Sequence, residues 1–140
     1  MSDSHHTHRI LVVDDDDAIR NMVERVLRRE KFAVESARDG HEAIEKLSRN
    51  DYGTVLLDLM MPRVDGLGVI RFLEQTPKER KPAVIIMTAN LPAAEGATPA
   101  PVFRVLPKPF DIRELVDHVR ECTTWREPSE SSNPMSQTQG

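Results

Sequence analysis

The sequence predicts an α/β fold in which a single parallel β-sheet is covered by helices on both of its faces. Two observations lead to this prediction. Five short β-branched and aliphatic runs, which are typical of buried strands, alternate along the chain with amphipathic helical segments. The chain also has 140 residues, of which 39% are hydrophobic and 30% charged, so it has the size and composition of one domain with its own core.

Composition and charge exclude several classes of function. The formal net charge of −4 gives no general electrostatic reason to bind nucleic acid or an anionic membrane. The longest apolar runs are too short to span a bilayer, and the polar start of the chain lacks the apolar core of a signal peptide. The single cysteine, Cys122, excludes an internal disulfide and fits a reducing compartment. We therefore expect a cytoplasmic protein that has neither nucleic acid nor a membrane as its partner.

The predicted domain extends over residues 9–124. Residues 1–8 form a polar arm, whose His5, His6 and His8 are better explained by terminal disorder than by a metal site. Residues 125–140 are rich in Ser, Pro and Gln and are predicted to be a disordered tail. We therefore expect one domain between two disordered ends.

The five predicted strands are short and rich in Val, Ile and Leu. They cover residues 9–13, 32–36, 54–58, 82–87 and 102–106. The third strand ends at Asp58, and Pro62 then prevents it from continuing. A carboxylate at the end of a buried strand is costly unless another group pairs with it or uses it.

The four predicted helices each present one apolar stripe to the sheet. The stripes are Ile19, Met22, Val23, Val26 and Leu27; Ala43, Ile44 and Leu47; Leu67, Ile70 and Leu73; and Ile112, Leu115, Val116 and Val119, which Cys122 continues as a buried residue. Asp16 or Asp17 is expected to cap the first helix, and Asp111 with Glu114 the last. The solvated side of the first helix is predicted to carry Arg20, Arg25, Arg28 and Arg29.

Chemically distinctive residues follow four of the five strands: Asp14 and Asp15, Asp58, Thr88, and Lys108. We expect them to lie together, because the carboxyl ends of parallel strands meet at the edge where ligands bind. Three neighbouring carboxylates repel one another unless a cation neutralises them, and oxygen ligands favour Mg²⁺. A threonine hydroxyl can donate to a phosphoryl oxygen, and a lysine can neutralise one. The set therefore favours formation of an aspartyl phosphate.

Four motifs in this order resemble the receiver domain of response regulators in two-component signalling. They are VVDDD at 12–16, LDLMMP at 57–62 with DG at 65–66, MTA at 87–89 and LPKPF at 106–110. The resemblance covers roughly residues 8–123. It implies a flavodoxin-like doubly wound sheet with the strand order 2-1-3-4-5.

The resemblance also implies a role for each site residue. Asp58 would accept a phosphoryl group from a histidine kinase or phosphotransfer protein, Thr88 would bind that group, and Lys108 would pair with it. Mg²⁺ would be held by Asp14, Asp15, Asp58 and the backbone carbonyl of Met60. The Lys108–Pro109 bond would be cis. The protein would not be an enzyme beyond its own Mg²⁺-assisted phosphorylation and dephosphorylation, and the apolar side chain of Met60 should slow the loss of phosphate.

Two features depart from the family pattern. Val105 occupies the position of an aromatic residue that normally moves inward with the threonine, and valine has no ring to move. Residues 90–101, where the family has its fourth helix, contain three prolines, so that helix should be short or irregular. We therefore expect signalling through contact with an unknown target protein, with a possible homodimer, over an unusual surface.

Two other functions remain open at this point. The chain could be a receiver that acts as a scaffold without phosphorylation, as the valine at position 105 would permit. It could also be an aspartate-nucleophile phosphatase that uses Asp14 of an Asp-x-Asp spacing. The second alternative is weakened by Ala18, which stands where Thr or Val is expected, and by the lack of room for a cap domain.

Overall fold

The computed structural model describes residues 9–59, 66–89 and 102–131. Strands and helices alternate through these residues as predicted. The elements are β1 (Arg9–Val13), α1 (Asp17–Arg29), β2 (Ala33–Ala37), α2 (Gly40–Arg49), β3 (Thr54–Asp58), α3 (Gly66–Glu74), a 3-10 turn (Lys78–Arg80), β4 (Ala83–Thr88), β5 (Val102–Pro107) and α4 (Ile112–Ser131). The strands begin and end within one residue of their predicted bounds.

The five strands form one parallel sheet in the order β2-β1-β3-β4-β5. This order confirms the predicted doubly wound topology. The order reverses between β1 and β3, the place where the loops at the carboxyl ends of the strands diverge and leave a crevice.

The sheet separates two hydrophobic cores, because successive strand residues point to opposite faces. One core joins the sheet to α2 and α3 and includes Leu11, Val13, Val55, Leu57, Ala43, Leu47, Val69, Ile70 and Leu73. The other joins it to α1 and α4 and includes Ile10, Val12, Leu56, Val23, Leu27, Leu115, Val116, Val119 and Cys122. The predicted burial of Cys122 is confirmed.

Aspartates cap three of the helices, because a carboxylate can accept a hydrogen bond from a helix N–H that has no backbone partner. Asp16 accepts from the N–H of Ile19 at the start of α1, which confirms one of the two predicted caps. Asp39 caps α2 in the same way. The Asp111 carboxylate accepts a bond of 2.8 Å from the N–H of Arg113 at the start of α4.

Three predicted orientations on the helices are wrong. Arg20 is buried rather than solvated, because its guanidinium turns back over the end of β1 and finds acceptors there. Met22 is 43% exposed. In α3 it is Val69 that is buried, whereas Leu67 is only half-buried at the edge of the core.

The last helix extends to Ser131, beyond residue 124 and into the predicted tail. The polar composition predicts a tail here, but residues 123–127 contain neither Pro nor Gly, so the helix that upstream packing has started continues through them. It ends at Ser131, three residues after Pro128. The arm 1–8 and residues 132–140 lie outside the described residues. Among the segments that the structure describes, no helix has the length and apolarity required to cross a membrane.

Gly66, the first residue of α3, lies against the end of β3. Its N–H donates to the carbonyl of Leu59 at 3.0 Å. A Cβ at position 66 would lie 2.4 Å from the Cα of Leu59 and 2.7 Å from the carbonyl oxygen of Asp58, closer than packed atoms can approach. Only glycine therefore allows α3 to begin against the residue that carries the central carboxylate.

We expect Gly66→Ala to lower the free energy of unfolding by about 2–3 kcal/mol, because the clash is with backbone atoms that cannot rotate away. Urea unfolding followed by circular dichroism measures the change. Gly68→Ala, the same exchange within α3, should keep or raise stability, since alanine favours a helix. A Gly66→Ala variant as stable as the wild type would show that the ends of α3 and β3 can separate freely.

Candidate functional site

The register of the sheet places the predicted site residues along one edge. Asp58 pairs with Met87, and Thr88 pairs with Pro107. The N–H of Lys108 then donates to the carbonyl of Thr88 at 2.9 Å. Asp14 follows β1, the neighbour of β3. The parallel strands thus bring residues that are far apart in sequence to a common edge, as predicted.

Two carboxylates of this group are buried. The Asp14 residue is 0% exposed and Asp58 is 5% exposed, whereas Asp15 is exposed. Burial of charged groups is unfavourable unless they are paired. Lys108 supplies the pairing, since its Nζ lies 2.9 Å from Oδ2 of Asp14 and 3.3 Å from Oδ2 of Asp58. One lysine therefore bridges both buried acids.

Burial by itself lowers the pKa of Lys108, but the hydrogen bond and charge of Asp14, together with the charge of Asp58, outweigh it and raise the pKa above the ordinary value of 10.5. Lys108 is therefore an ammonium ion at neutral pH. Because its pKa is higher in the folded state, its stabilising effect is present below pH 10.5 and is lost only as the pH rises through the folded value.

The three acids could hold a divalent metal ion. One carboxylate oxygen from each of Asp14, Asp15 and Asp58 lies within 4.8 Å of the others. An all-oxygen group of this size suits a hard cation such as Mg²⁺, which needs only one or two carboxylates and keeps several waters. Met60, whose carbonyl was predicted as a further ligand, lies outside the described residues.

The turn after β1 is held by hydrogen bonds that the sequence analysis missed. Oδ1 of Asp14 accepts from the N–H of Asp16 at 3.0 Å, so both oxygens of Asp14 have partners. Nη1 of Arg20 donates to the backbone carbonyl of Asp14 at 2.9 Å, and Nη2 donates to Asp17 at 2.5 Å. An arginine in the first turn of a helix, where the dipole disfavours cations, was the one signal that could have revealed this contact.

An apolar hollow of about 300 Å³ adjoins the site. It lies between α1 and the loop after β5, and it is lined by Ile19, Met22, Ala89, Lys108, Pro109 and Phe110. The exposed Met22 forms part of its wall. The same lysine that bridges the buried acids therefore also borders an open apolar surface.

Of the two features that depart from the family pattern, the structure describes one. Val105 lies on β5 and is 37% exposed, so no ring fills that position. The Lys108–Pro109 bond is cis, as predicted. Residues 90–101, for which a short or irregular helix was predicted, lie outside the described residues.

Comparison with known proteins agrees with the fold and the site. The sequence model of the family described as “Response regulator receiver domain” matches residues 10–120. Response regulator MprA from Mycobacterium sp. (strain KMS) is 39% identical over 124 residues, which are 87% of this chain and 53% of that protein. The chain thus spans about half the length of the curated relatives it matches.

Solved structures resemble the chain over most of its length. A response regulator signal receiver domain from Bermanella marisrubri is 37% identical with a TM-score of 0.73, covering 82% of this chain and 97% of that chain. Response regulator protein TrrA from Thermotoga maritima, solved in complex with Mg²⁺ and BeF, is 30% identical with a TM-score of 0.73, covering 81% and 97%. By fold, motif order and these relatives, the chain belongs to the response regulator receiver domains of two-component systems.

Proposed function

We propose that this receiver domain takes a phosphoryl group onto Asp58 from a phosphorylated histidine of a kinase or phosphotransfer protein. The observation that carries the proposal is the position of Asp58. Its carboxylate lies at the end of a central strand, close to two further carboxylates and 3.3 Å from the ammonium group of Lys108. Cations around an aspartate would stabilise the negative charge that accumulates during phosphoryl transfer.

Asp14, the nucleophile of the phosphatase alternative, is poorly placed to accept a phosphoryl group. Asp14 is fully buried and both of its oxygens accept hydrogen bonds within the protein. In the proposed step an oxygen of Asp58 attacks phosphorus and a P–O bond forms. The P–N bond to the donor histidine breaks, and its electron pair returns to the imidazole nitrogen, which then takes up a proton. Beyond this transfer onto its own side chain, the domain would carry out no reaction on a small substrate.

The acids fit a Mg²⁺ cofactor, as the Mg²⁺ and BeF complex of the Thermotoga relative also suggests. When bound, Mg²⁺ would offset the negative charges of the acids and of the incoming phosphoryl group. Asp14, Asp15 and Asp58 would hold it. Lys108 would exchange its contact with Asp58 for one to a phosphoryl oxygen, and the hydroxyl of Thr88 would donate to another.

The apolar hollow supports the partner class in this proposal. It opens beside Lys108, so a helix that presents a phosphorylated histidine to Asp58 could bury apolar side chains against Met22 and Phe110. The basic residues Arg25 and Arg29, exposed further along α1, could contact acidic groups of the same partner.

Downstream signalling by contact with a target protein, with a possible homodimer, is part of the proposal. The exposed Val105 favours a surface that does not depend on an aromatic switch. A cytoplasmic location and the absence of a nucleic-acid partner stay predictions from the sequence. The chain spans about half the length of its curated relatives, so the proposal concerns the receiver domain and not the activity of a whole protein of that length.

Incubation with acetyl phosphate, a small phosphoryl donor, tests the proposal. We expect the intact mass to rise by one phosphoryl group when Mg²⁺ is present and not when it is chelated. Light scattering on the same sample reports whether phosphorylation dimerises the chain. An unchanged mass with donor and Mg²⁺ would contradict the phosphoacceptor function and favour the scaffold alternative.

A further inference from the structure

Arg20 is a buried cation whose function the phosphoacceptor site does not explain. The residue is only 9% exposed, although it belongs to the first turns of α1. Its guanidinium donates to the Asp14 carbonyl at 2.9 Å and to the Asp17 carboxylate at 2.5 Å. Its own N–H donates to the carbonyl of Asp16 at 2.9 Å. The guanidinium therefore ties two of the four consecutive aspartates together, and the backbone bond to Asp16 is the ordinary first bond of the helix.

This placement is unfavourable in itself. A cation near the amino terminus of a helix opposes the helix dipole, and burial removes the guanidinium from water. The rigid, forked donor group offsets these costs, because it can satisfy a carbonyl and a carboxylate at the same time. A lysine has one compact ammonium and cannot reproduce both contacts in the same geometry.

The contacts divide the four aspartates by function. Asp17 is turned toward Arg20, and Asp16 caps α1 through Ile19. Asp14 is fixed at its carbonyl by Arg20 and at its carboxylate by Lys108. Asp15 is exposed, and no side chain in the described part of the chain pairs with it. Of the run, Asp15 is thus the carboxylate left to meet a metal ion at the mouth of the site.

We infer that Arg20 is a positioning residue for the metal-binding end of the site: it holds the turn of residues 14–17 so that Asp15 is presented beside Asp14 and Asp58. This inference rests on the proposed function, since it assigns Arg20 a part in holding its Mg²⁺. Residues that hydrogen-bond to metal ligands, without touching the metal themselves, orient those ligands and contribute strongly to metal affinity.

A purely electrostatic effect of Arg20 predicts the opposite sign. A positive charge near the acids repels a cation, so neutralising Arg20 would tighten Mg²⁺ binding, and an Arg-to-Lys exchange would leave it unchanged. The positioning role predicts weaker binding in both variants. The direction of the change therefore separates the two explanations.

Calorimetric titration of the full chain with Mg²⁺ alone tests the inference. We expect Arg20→Gln to weaken binding about tenfold or more, and Arg20→Lys, which keeps the charge, by about threefold or more. Asp17→Asn keeps the side-chain oxygen that accepts from Arg20 and removes only the charge of an exposed ion pair, so its affinity should stay within about threefold of the wild type. Arg49→Gln and Arg49→Lys, at an exposed arginine of α2 that has no assigned role, should leave the affinity unchanged.

Near-ultraviolet circular dichroism identifies the folded variants, and Arg20→Lys decides the question if Arg20→Gln does not fold. Wild-type affinity in Arg20→Lys, or tighter binding in Arg20→Gln, would overturn the positioning role alone. A wild-type chain that binds no Mg²⁺ would instead overturn the proposed cofactor, and the inference with it.

Discussion

Asp58→Asn is expected to abolish phosphoryl incorporation from acetyl phosphate and Mg²⁺. The amide keeps the shape of the side chain, but it is a poor nucleophile and cannot form the acyl phosphate. It also removes one of three neighbouring negative charges, so the fold should be kept or made slightly more stable. Intact mass spectrometry after incubation with the donor measures the effect, and the phosphorylated fraction should fall to the background found without donor.

Two further variants serve as the control for this result and as the test of the alternative nucleophile. Asp117→Asn makes the same chemical change at an exposed position of α4 and should be phosphorylated like the wild type. Asp14→Asn leaves the acceptor in place and should lose incorporation only in part, through weaker Mg²⁺ binding. Full phosphorylation of Asp58→Asn, combined with none in Asp14→Asn, would favour the aspartate-nucleophile phosphatase.

Lys108→Met is expected to cause a large loss of stability, about 3 kcal/mol or more, because breaking a buried ion pair leaves a charge without compensation. Here the loss affects two acids at once, since Lys108 contacts both Asp14 and Asp58. Urea unfolding at neutral pH measures it. Lys81→Met, which removes a lysine outside the site, should change stability by less than about 0.5 kcal/mol.

The effect of Mg²⁺ on the stability loss of Lys108→Met is as informative as the size of that loss. Mg²⁺ should stabilise the variant more than the wild type, because the ion no longer competes with an ammonium group. A stability deficit that Mg²⁺ leaves unchanged would mean that Lys108 contributes through packing rather than through charge.

The fold and the meeting of the site residues could be predicted because both depend on the order of the elements. Alternating strands and helices imply a parallel sheet, and a parallel sheet aligns the ends of its strands. Asp58, Thr88 and Lys108 come together through backbone register, which does not require knowledge of side-chain packing. Their positions at the strand ends therefore predicted a common edge, whereas the strand order 2-1-3-4-5 came from the resemblance to receiver domains.

The side chains of α1 could not be predicted in the same way. Periodicity identifies the apolar stripe, but it cannot show that the guanidinium of Arg20 finds a carbonyl and a carboxylate at the end of β1. Met22 follows the stripe in sequence, yet it is exposed and lines an open hollow beside the site. Both errors lie on the part of α1 that borders the site.

The central claim is that Asp58 is the phosphoacceptor of this chain, and the most direct measurement is to locate the phosphoryl group. The wild type is incubated with acetyl phosphate and Mg²⁺ and reduced with borohydride, which converts an aspartyl phosphate to homoserine. Peptide mass spectrometry then identifies the converted residue. We predict homoserine at position 58 alone, and only when both donor and Mg²⁺ are present. Homoserine at position 14, or at no aspartate, would contradict the claim.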